Sequence, residues 1–440
     1  MTAEIAIMNK EAIALAADSA VTINTGSGRK IYNTVNKLFA LTKYAPVGIM
    51  VYGRADFMGI SWESIIKTYR PVIGRKTFGT TNEYVSHFVS FLKTNGKRFF
   101  LPEIQRKYFG QIAASAFLNI RNRAEESIKQ AFSNKRKISR RDVQKALDAA
   151  IDEYLKHIAS KKPLAGMTRA RATKLRRKYG KMVGSTKASV FQRLPLSRKA
   201  NSKLSFIPFE VCFRRIFSNS DSGVVIAGFG DGQIFPFLTS MVFGGVTDNI
   251  LRYEVNRETE IDHDKSAVII PFAQSEMVES FMEGIDPNCN SMINSYWRTI
   301  MSQFPHDVTN AIPTLSTTAK LSLIPKLLKA GDQILSRFHQ NLRDYQQRLH
   351  ISPVIDAIAV LPKDLLAEVA ESLVNLTSFK RRISMTSAET VGGPIDVAVI
   401  SRGDGFVWIK RKHYFRPELN PQFMSQYSGG LYGTPTPWKK

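Results

Sequence analysis

The sequence predicts an α+β fold, in which strands and helices occupy separate stretches of the chain. Short apolar runs bounded by turn residues fall into three groups: near the N-terminus, around residues 223–272 and around residues 395–410. Stretches with the apolar spacing of helices lie between these groups. The order of strands, helices, strands, helix and strands favours packed layers over a sheet built from alternating βαβ units.

The first strand group consists of two hairpins followed by helices. Apolar runs predict strands at residues 3–7 and 12–17 around a turn at Met8–Glu11, and a second pair at Leu38–Leu41 and Gly48–Tyr52. The next segment has apolar residues at the i, i+3, i+4, i+7 spacing of a helix with one buried face. These residues are Trp62, Ile65, Ile66 and Tyr69, and residues 83–93 predict another helix.

The same criteria predict the elements of the two later strand groups. Strands are predicted at Gly223–Gly228, Ile234–Leu238 and Ala267–Phe272, with a helix over residues 277–284. Pro362 opens a further helix with a regular leucine spacing. The last hairpin is predicted from Ile395–Ser401 and Phe406–Lys410 around the turn Arg402–Gly405.

Composition and spacing divide the chain into six segments. The stretches between the strand groups are helical and poor in strand signals, so they are interpreted as insertions into a core. The segments are 1–100, the first half of the core; 101–204, a basic helical insertion; 205–285, core strands and a helix; 286–354, a second helical insertion; 355–415, the last core helix and hairpin; and 416–440, a C-terminal tail.

The positive charge is concentrated in the first insertion. The chain has 62 Lys and Arg against 37 Asp and Glu, a formal charge of +25. Residues Lys135 to Lys203 hold 21 basic and 4 acidic residues, and the densest part, from Arg169 to Lys181, is expected to ring a helix. Three interpretations stay open: a solvated arm, a site for a polyanion or nucleic acid, and a docking surface within an assembly.

Several protein classes are disfavoured by the sequence. Two cysteines, Cys212 and Cys289, do not make a disulfide scaffold, and no CxxC pattern is present. The seven histidines lack metal-site spacing, so neither a metal nor a cofactor is expected. Apolar runs are short and no secretory signal is visible, so we expect a cytoplasmic protein with no membrane partner.

Three residues near the N-terminus form a candidate catalytic set. Removal of Met1 would give Thr2 a free α-amine, whose ordinary pKa of about 8 suits a general base for its own hydroxyl. Asp18 ends a strand of small and aliphatic residues and needs a partner, which Lys37 at the start of the next strand could supply. A lysine beside the nucleophile lowers the pKa of the hydroxyl and of the amine. The alternative is an ordinary second residue with an unrelated surface Asp and Lys.

These motifs resemble proteasome β-subunits and the HslV peptidase, which are N-terminal nucleophile (Ntn) hydrolases. The likeness covers about 200 of the 440 residues, in three pieces and in the family's order. The first piece contains Thr2–Thr22 with its Ala-Asp-Ser-x-x-Thr motif, Thr34–Phe39 and Gly48–Asp56. The second piece is Val224–Phe235 and the third is Gly392–Val407. The resemblance implies a four-layer αββα sandwich, here with two helical insertions, and a homo-oligomer whose usual rings are modified or absent.

The resemblance also implies a role for each matching residue. Thr2 would be the nucleophile and base, Asp18 and Lys37 its support, and the backbone N–H groups of Tyr52 or Gly53 the oxyanion hole. The Thr22 backbone would pair with an extended substrate, while Met50 and Arg54 would lie near the pocket for the residue before the scissile bond. Where the family has supporting Ser and Asp residues, this chain departs from the pattern, and Ser275 and Glu389 are the candidate stand-ins.

The expected activity is peptide-bond hydrolysis through an acyl-enzyme on Thr2, with a peptide or protein as substrate. Two alternatives stay open. The first keeps the fold and the nucleophile but acts as an amidase on a small molecule. The second is a non-enzymatic protein that associates with a polyanion or nucleic acid through the basic insertion.

Overall fold

A computed structural model describes residues 3–25, 28–131, 138–164, 166, 168–218, 221–383 and 392–422. Over these residues the chain is a mixed α/β protein with antiparallel sheets. The strands are β1 Ala3–Asn9, β2 Ala12–Ala17, β3 Val21–Thr25, β4 Gly28–Tyr32, β5 Leu38–Ala40, β6 Val47–Gly53, β7 Asp56–Phe57, β8 Ile60–Ser61, β9 Ser222–Gly228, β10 Phe237–Thr247, β11 Ile250–Glu260, β12 Ala267–Ala273, β13 Asp396–Ser401 and β14 Gly405–Lys410.

The helices alternate with the strand groups along the chain. A π-helical turn, Gln347–Ile351, joins two of them, and a short 3₁₀ helix spans Pro417–Leu419. The α-helices are α1 Trp62–Ile73, α2 Thr81–Phe99, α3 Pro102–Ala131, α4 Arg140–Ser160, α5 Arg169–Phe191, α6 Arg198–Phe213, α7 Glu276–Glu283, α8 Pro287–Ala311, α9 Thr317–Gln346, α10 Ser352–Ala359 and α11 Lys363–Ile383.

The first of two compact units holds an antiparallel sheet with the strand order β12-β1-β2-β13-β14. The unit comprises Met1–Phe39, Ile234–Pro236 and Glu260–Lys440, as far as these are described. Helices α10 and α11 pack on the sheet, because Ile5, Ile7, Ala14 and Ala16 form one apolar core with the helices. Every residue of β1 and β2 is buried, and exposure begins only at the turn that joins them.

The second unit comprises Ala40–Gln233 and Phe237–Thr259. It holds most of a sheet with the order β11-β10-β9-β6-β5, on which α2 packs through β9 and β10. Helix α1 forms from the predicted apolar spacing, and its Trp62 ring contacts Phe57 and Phe243 at centroid distances of 5.0 and 5.4 Å. The glycine-rich segment from Gly228 to Gly232 forms a turn between β9 and β10.

Helices α3 to α6 form their own apolar cluster within the second unit. Buried residues recur along each helix, for example Phe109, Phe117 and Ile120 on α3 and Leu204 and Cys212 on α6. Helix α6 continues to Phe213 and therefore runs past the predicted boundary at residue 204. The residues predicted as a second insertion are mainly the packed pair α8 and α9 in the first unit. That both segments are insertions stays a prediction.

Most predicted elements form, with corrections at four places. The predicted strand at Ile234–Leu238 is wrong in its first half, because β10 begins at Phe237 and runs to Thr247. Strand β11, the β3–β4 hairpin and the short β7–β8 pair are additional to the prediction. The β10–β11 turn is made by Asp248 and Asn249, whose φ angles of 48° and 62° suit a tight two-residue hairpin turn.

None of the helices that the structure describes is long and apolar enough to cross a membrane.

Candidate active site

A buried ionic cluster lies where β1 begins and β2 ends, in the first unit. Glu4, Asp18 and Lys37 form it, and we call it the Lys37 cluster. Nζ of Lys37 donates a hydrogen bond to Oδ1 of Asp18 and lies 3.1 Å from Oε1 of Glu4. The Lys37 side chain is 2% exposed and the two carboxylates are fully buried. The structure therefore brings together Asp18 and Lys37, the two residues that the sequence analysis pairs.

Hydrogen bonds from backbone N–H groups fix the Asp18 carboxylate in this position. Its Oδ1 accepts the Ala3 N–H at 3.2 Å, and its Oδ2 accepts the Gly392 N–H at 3.0 Å. The Asp18 N–H in turn donates to the Ala3 carbonyl at 3.1 Å. A carboxylate with two backbone donors and an ammonium is well compensated for its loss of water. Asp18 thus ties Lys37 to the first described residue of the chain.

Glu4 gives the cluster more negative than positive groups. It projects from β1 in the register position opposite Ala17, the residue before Asp18. Two buried carboxylates share one ammonium, and a buried charge is costly unless oppositely charged groups and hydrogen bonds compensate it. Two carboxylates rather than one therefore hold Lys37 in place.

A second buried ion pair lies beside the first. Oδ1 of Asp396 accepts the Lys412 N–H at 2.8 Å, and its Oδ2 accepts from Lys412 Nζ. Asp396 is opposite Ala17 in the β2–β13 register. Burial lowers the pKa of Lys412, the Asp396 carboxylate partly offsets this, and the positive charge of Lys37 lowers it further. The charges of Lys37, Asp18 and Asp396 thus all act on Lys412.

The predicted nucleophile, Thr2, lies outside the described residues. Its covalent neighbour Ala3 is described, and it pairs with Ala273 at the end of β12. Ala273 has φ of 61°, a left-handed conformation that costs a residue with a Cβ about 1–2 kcal/mol. Strained backbone of this kind is often found at functional sites.

The predicted oxyanion-hole and pocket residues lie in the second unit, at the end of β6. Gly53 has φ of 76°, and a Cβ at this position would lie 2.7 Å from the Asp221 carbonyl oxygen, so only glycine fits. The Tyr52 ring covers Gly223, and its hydroxyl lies 3.1 Å from Oγ of Ser240. The Tyr52 ring is thus accommodated by a glycine on the neighbouring strand.

The predicted pocket residues differ in exposure. Met50 is fully buried within β6. Arg54 is exposed, and its guanidinium donates to both oxygens of Asp56 at 3.2 Å. A paired Arg54 has less charge to offer an acidic substrate side chain. Its role in specificity stays a prediction.

The remaining predicted residues have separate positions. The Thr22 backbone lies in β3, opposite Ile31 of β4. Ser275 precedes α7, and its carbonyl oxygen accepts the Glu279 N–H at 2.8 Å. Glu389 lies outside the described residues, so the structure does not bear on it.

Glu4, Asp396 and Lys412 are site residues that the sequence analysis does not single out. The sequence pattern could have identified two of them, because Glu4 and Asp396 are the acidic residues of strands that otherwise consist mainly of apolar or small residues. A charge in a fully buried strand needs a partner. Lys412 follows the last hairpin and has no comparable signal.

No protein-family model matches the chain, and the search of curated proteins gives no match. The likeness to proteasome β-subunits therefore rests on the residues quoted above. Among the described residues, no group of three or more His, Cys, Asp or Glu side chains could hold a metal ion.

Proposed function

We propose that the protein is a proteasome-like threonine peptidase, with Thr2 as the nucleophile once Met1 has been removed. The observation that carries the proposal is the burial of Lys37 between two carboxylates, one of which holds the Ala3 N–H. A buried lysine held in place next to the chain start is suited to stabilising charge on a reacting group there. An ordinary structural ion pair needs no such link to the first residues.

Covalent geometry supports the link to Thr2. Consecutive Cα atoms are about 3.8 Å apart across a trans peptide. Thr2 is bonded to the nitrogen that donates to Asp18, so it is one peptide away from the Lys37 cluster.

The reaction follows from these groups. The Thr2 hydroxyl oxygen attacks the scissile carbonyl carbon, and the neutral α-amine of Thr2 accepts the hydroxyl proton. Backbone N–H groups stabilise the oxyanion, and the proton then passes to the leaving amine. A water molecule, activated by the same α-amine, hydrolyses the ester and regenerates Thr2. Lys37 and Asp18 act by electrostatics and are not consumed.

The proposed fold is the four-layer αββα sandwich with two helical insertions. Its support is the order of strands in the first sheet, the helices α10 and α11 on one face, and burial along both faces of β1 and β2. A homo-oligomer is part of the proposal, since it accompanies the family likeness. Within the described strands, β3 pairs only with β4, which leaves an edge for the extended peptide proposed at Thr22.

The activity is tested by hydrolysis of unstructured protein and of short fluorogenic peptides, comparing the wild type with Thr2→Ala. We expect the wild type to release new amino termini and Thr2→Ala to lose about 1,000-fold or more in rate, since removal of a nucleophile leaves little catalysis. Cleavage that survives in Thr2→Ala would contradict the assignment of the nucleophile. Cleavage of small amides but of no peptide would favour the amidase instead.

A further inference from the structure

Helix α5 has a buried face and a basic face. Leu175, Tyr179 and Val183 recur every four residues and are buried in the cluster of α3 to α6. At about 100° per residue, five cations of α5 lie within an arc of about 120° on another side of the helix. We call these five exposed residues the α5 stripe: Arg171, Lys174, Arg177, Lys178 and Lys181. The expectation that the cations ring the helix is therefore wrong for most of them.

The α5 stripe has little acidic compensation. Lys174 and Lys178 share one carboxylate, that of Asp248, at 3.7 and 3.5 Å. Within the described part of the chain, neither Arg177 nor Lys181 has a carboxylate within 4.0 Å of its charged nitrogens. Most of the positive charge on this face is therefore available to an external anion.

Other cations of α5 are tied to neighbouring groups instead. The Arg176 guanidinium lies 4.4 Å from the centre of the Phe206 ring on α6. Nζ of Lys187 donates to Oγ of Ser205 at 2.9 Å and to the Asn201 carbonyl at 3.3 Å. These contacts hold α5 on α6, so these two cations have a structural use.

The acidic residues of α4 and α6 are already engaged. Asp142 caps α4, and Asp148 accepts from the Ser197 hydroxyl at 3.0 Å. Asp152, Glu153 and Glu210 form ion pairs with cations outside the stripe. An uncompensated group of like charges destabilises the folded protein, and binding of an anion removes that repulsion.

We propose that the α5 stripe binds the phosphate backbone of a nucleic acid, independently of base sequence. Arg171 and Lys181 are ten residues apart, which is about 15 Å along a helix. Five positive charges over this length match the spacing of about 3.4 Å per phosphate along each strand of a duplex. A regular charge density of this kind is a general property of nucleic acids, whereas an acidic protein has it only in long runs of Asp or Glu.

The proposal is tested with a fluorescent 20-base-pair DNA duplex of random sequence, titrated with full-length protein at several salt concentrations. The test variant is Arg177→Gln with Lys181→Gln, which removes two stripe charges. We expect its log–log salt slope to fall by about two, and its affinity at about 0.1 M salt to fall by roughly 8-fold per charge removed. Thr2→Ala should bind like the wild type, which separates this outcome from the fate of the peptidase proposal.

A matched control is Lys97→Gln with Arg98→Gln. These two exposed residues lie in the last turn of α2, and the change removes the same two charges from another helix. We expect the control to keep nearly the wild-type affinity. The proposal is overturned if the wild type does not bind, if both variants weaken binding equally, or if polyglutamate of equal charge competes as well as the duplex.

Discussion

Replacing Lys37 with methionine is expected to lower the free energy of unfolding by about 3–5 kcal/mol, because it leaves two buried carboxylates without their cation. Methionine preserves most of the apolar volume of the lysine stem, so the loss is mainly electrostatic. Urea denaturation of the wild type and the variant measures the difference in the free energy of unfolding. An unchanged dependence of that free energy on urea concentration would show that both proteins expose the same surface on unfolding. A loss below about 1 kcal/mol would show that the cluster does not hold buried charges.

A second variant separates charge from packing. Glu4→Gln combined with Lys37→Met leaves only the Asp18 carboxylate, which still accepts two backbone N–H groups. We expect this double variant to be more stable than Lys37→Met alone, a coupling that a double-mutant cycle measures. If the double variant is the less stable of the two, Glu4 and Lys37 are not electrostatically coupled.

Asp18→Asn is expected to be far more damaging than Glu4→Gln, although both remove one negative charge beside Lys37. The amide introduced by Asp18→Asn has one acceptor oxygen, so it cannot serve both the Ala3 and the Gly392 N–H groups. A buried donor without an acceptor costs about 1–3 kcal/mol, in addition to the lost ion pair. The amide oxygen introduced by Glu4→Gln can still accept from Lys37, so this change should cost about 1 kcal/mol.

The same pair of variants has a functional readout. Asp18→Asn should slow the reaction of Thr2 with an electrophile, because it releases the lysine from its position near the chain start. Glu4→Gln should keep the reaction within about tenfold of the wild-type rate, equivalent to about 1.4 kcal/mol. Equal effects of the two variants on stability and on reactivity would contradict the distinct roles assigned to Asp18 and Glu4.

Local patterns were sufficient to predict many of the elements and one contact. The apolar spacing from Trp62 to Tyr69 predicts α1, and the small-residue run before Asp18 predicts β2. A strand-ending carboxylate with a lysine at the next strand indicates the Asp18–Lys37 pair, which is present. These inferences work because the interacting groups are close in sequence or repeat at the period of their element.

The rest of the site depends on contacts that are distant in sequence. Gly392 donates to Asp18 across 374 positions, and no local pattern specifies such a contact. Lys412 likewise enters the site only through strand order, since β13 lies beside β2. Strand β11 did have local signals, namely the alternation of Leu251, Tyr253 and Val255 and the turn before it. The second half of β11 is polar, so the apolar alternation covers only part of the strand.

The most direct test of the central claim is the intact mass of the purified protein, with and without a threonine-directed epoxyketone. We expect loss of Met1 and one adduct, located on Thr2 by peptide mapping and formed much more slowly in Lys37→Met. Epoxyketones of this kind react with both the hydroxyl and the free α-amine of an N-terminal threonine, so the adduct reports both groups. Retention of Met1 with no adduct would contradict the account.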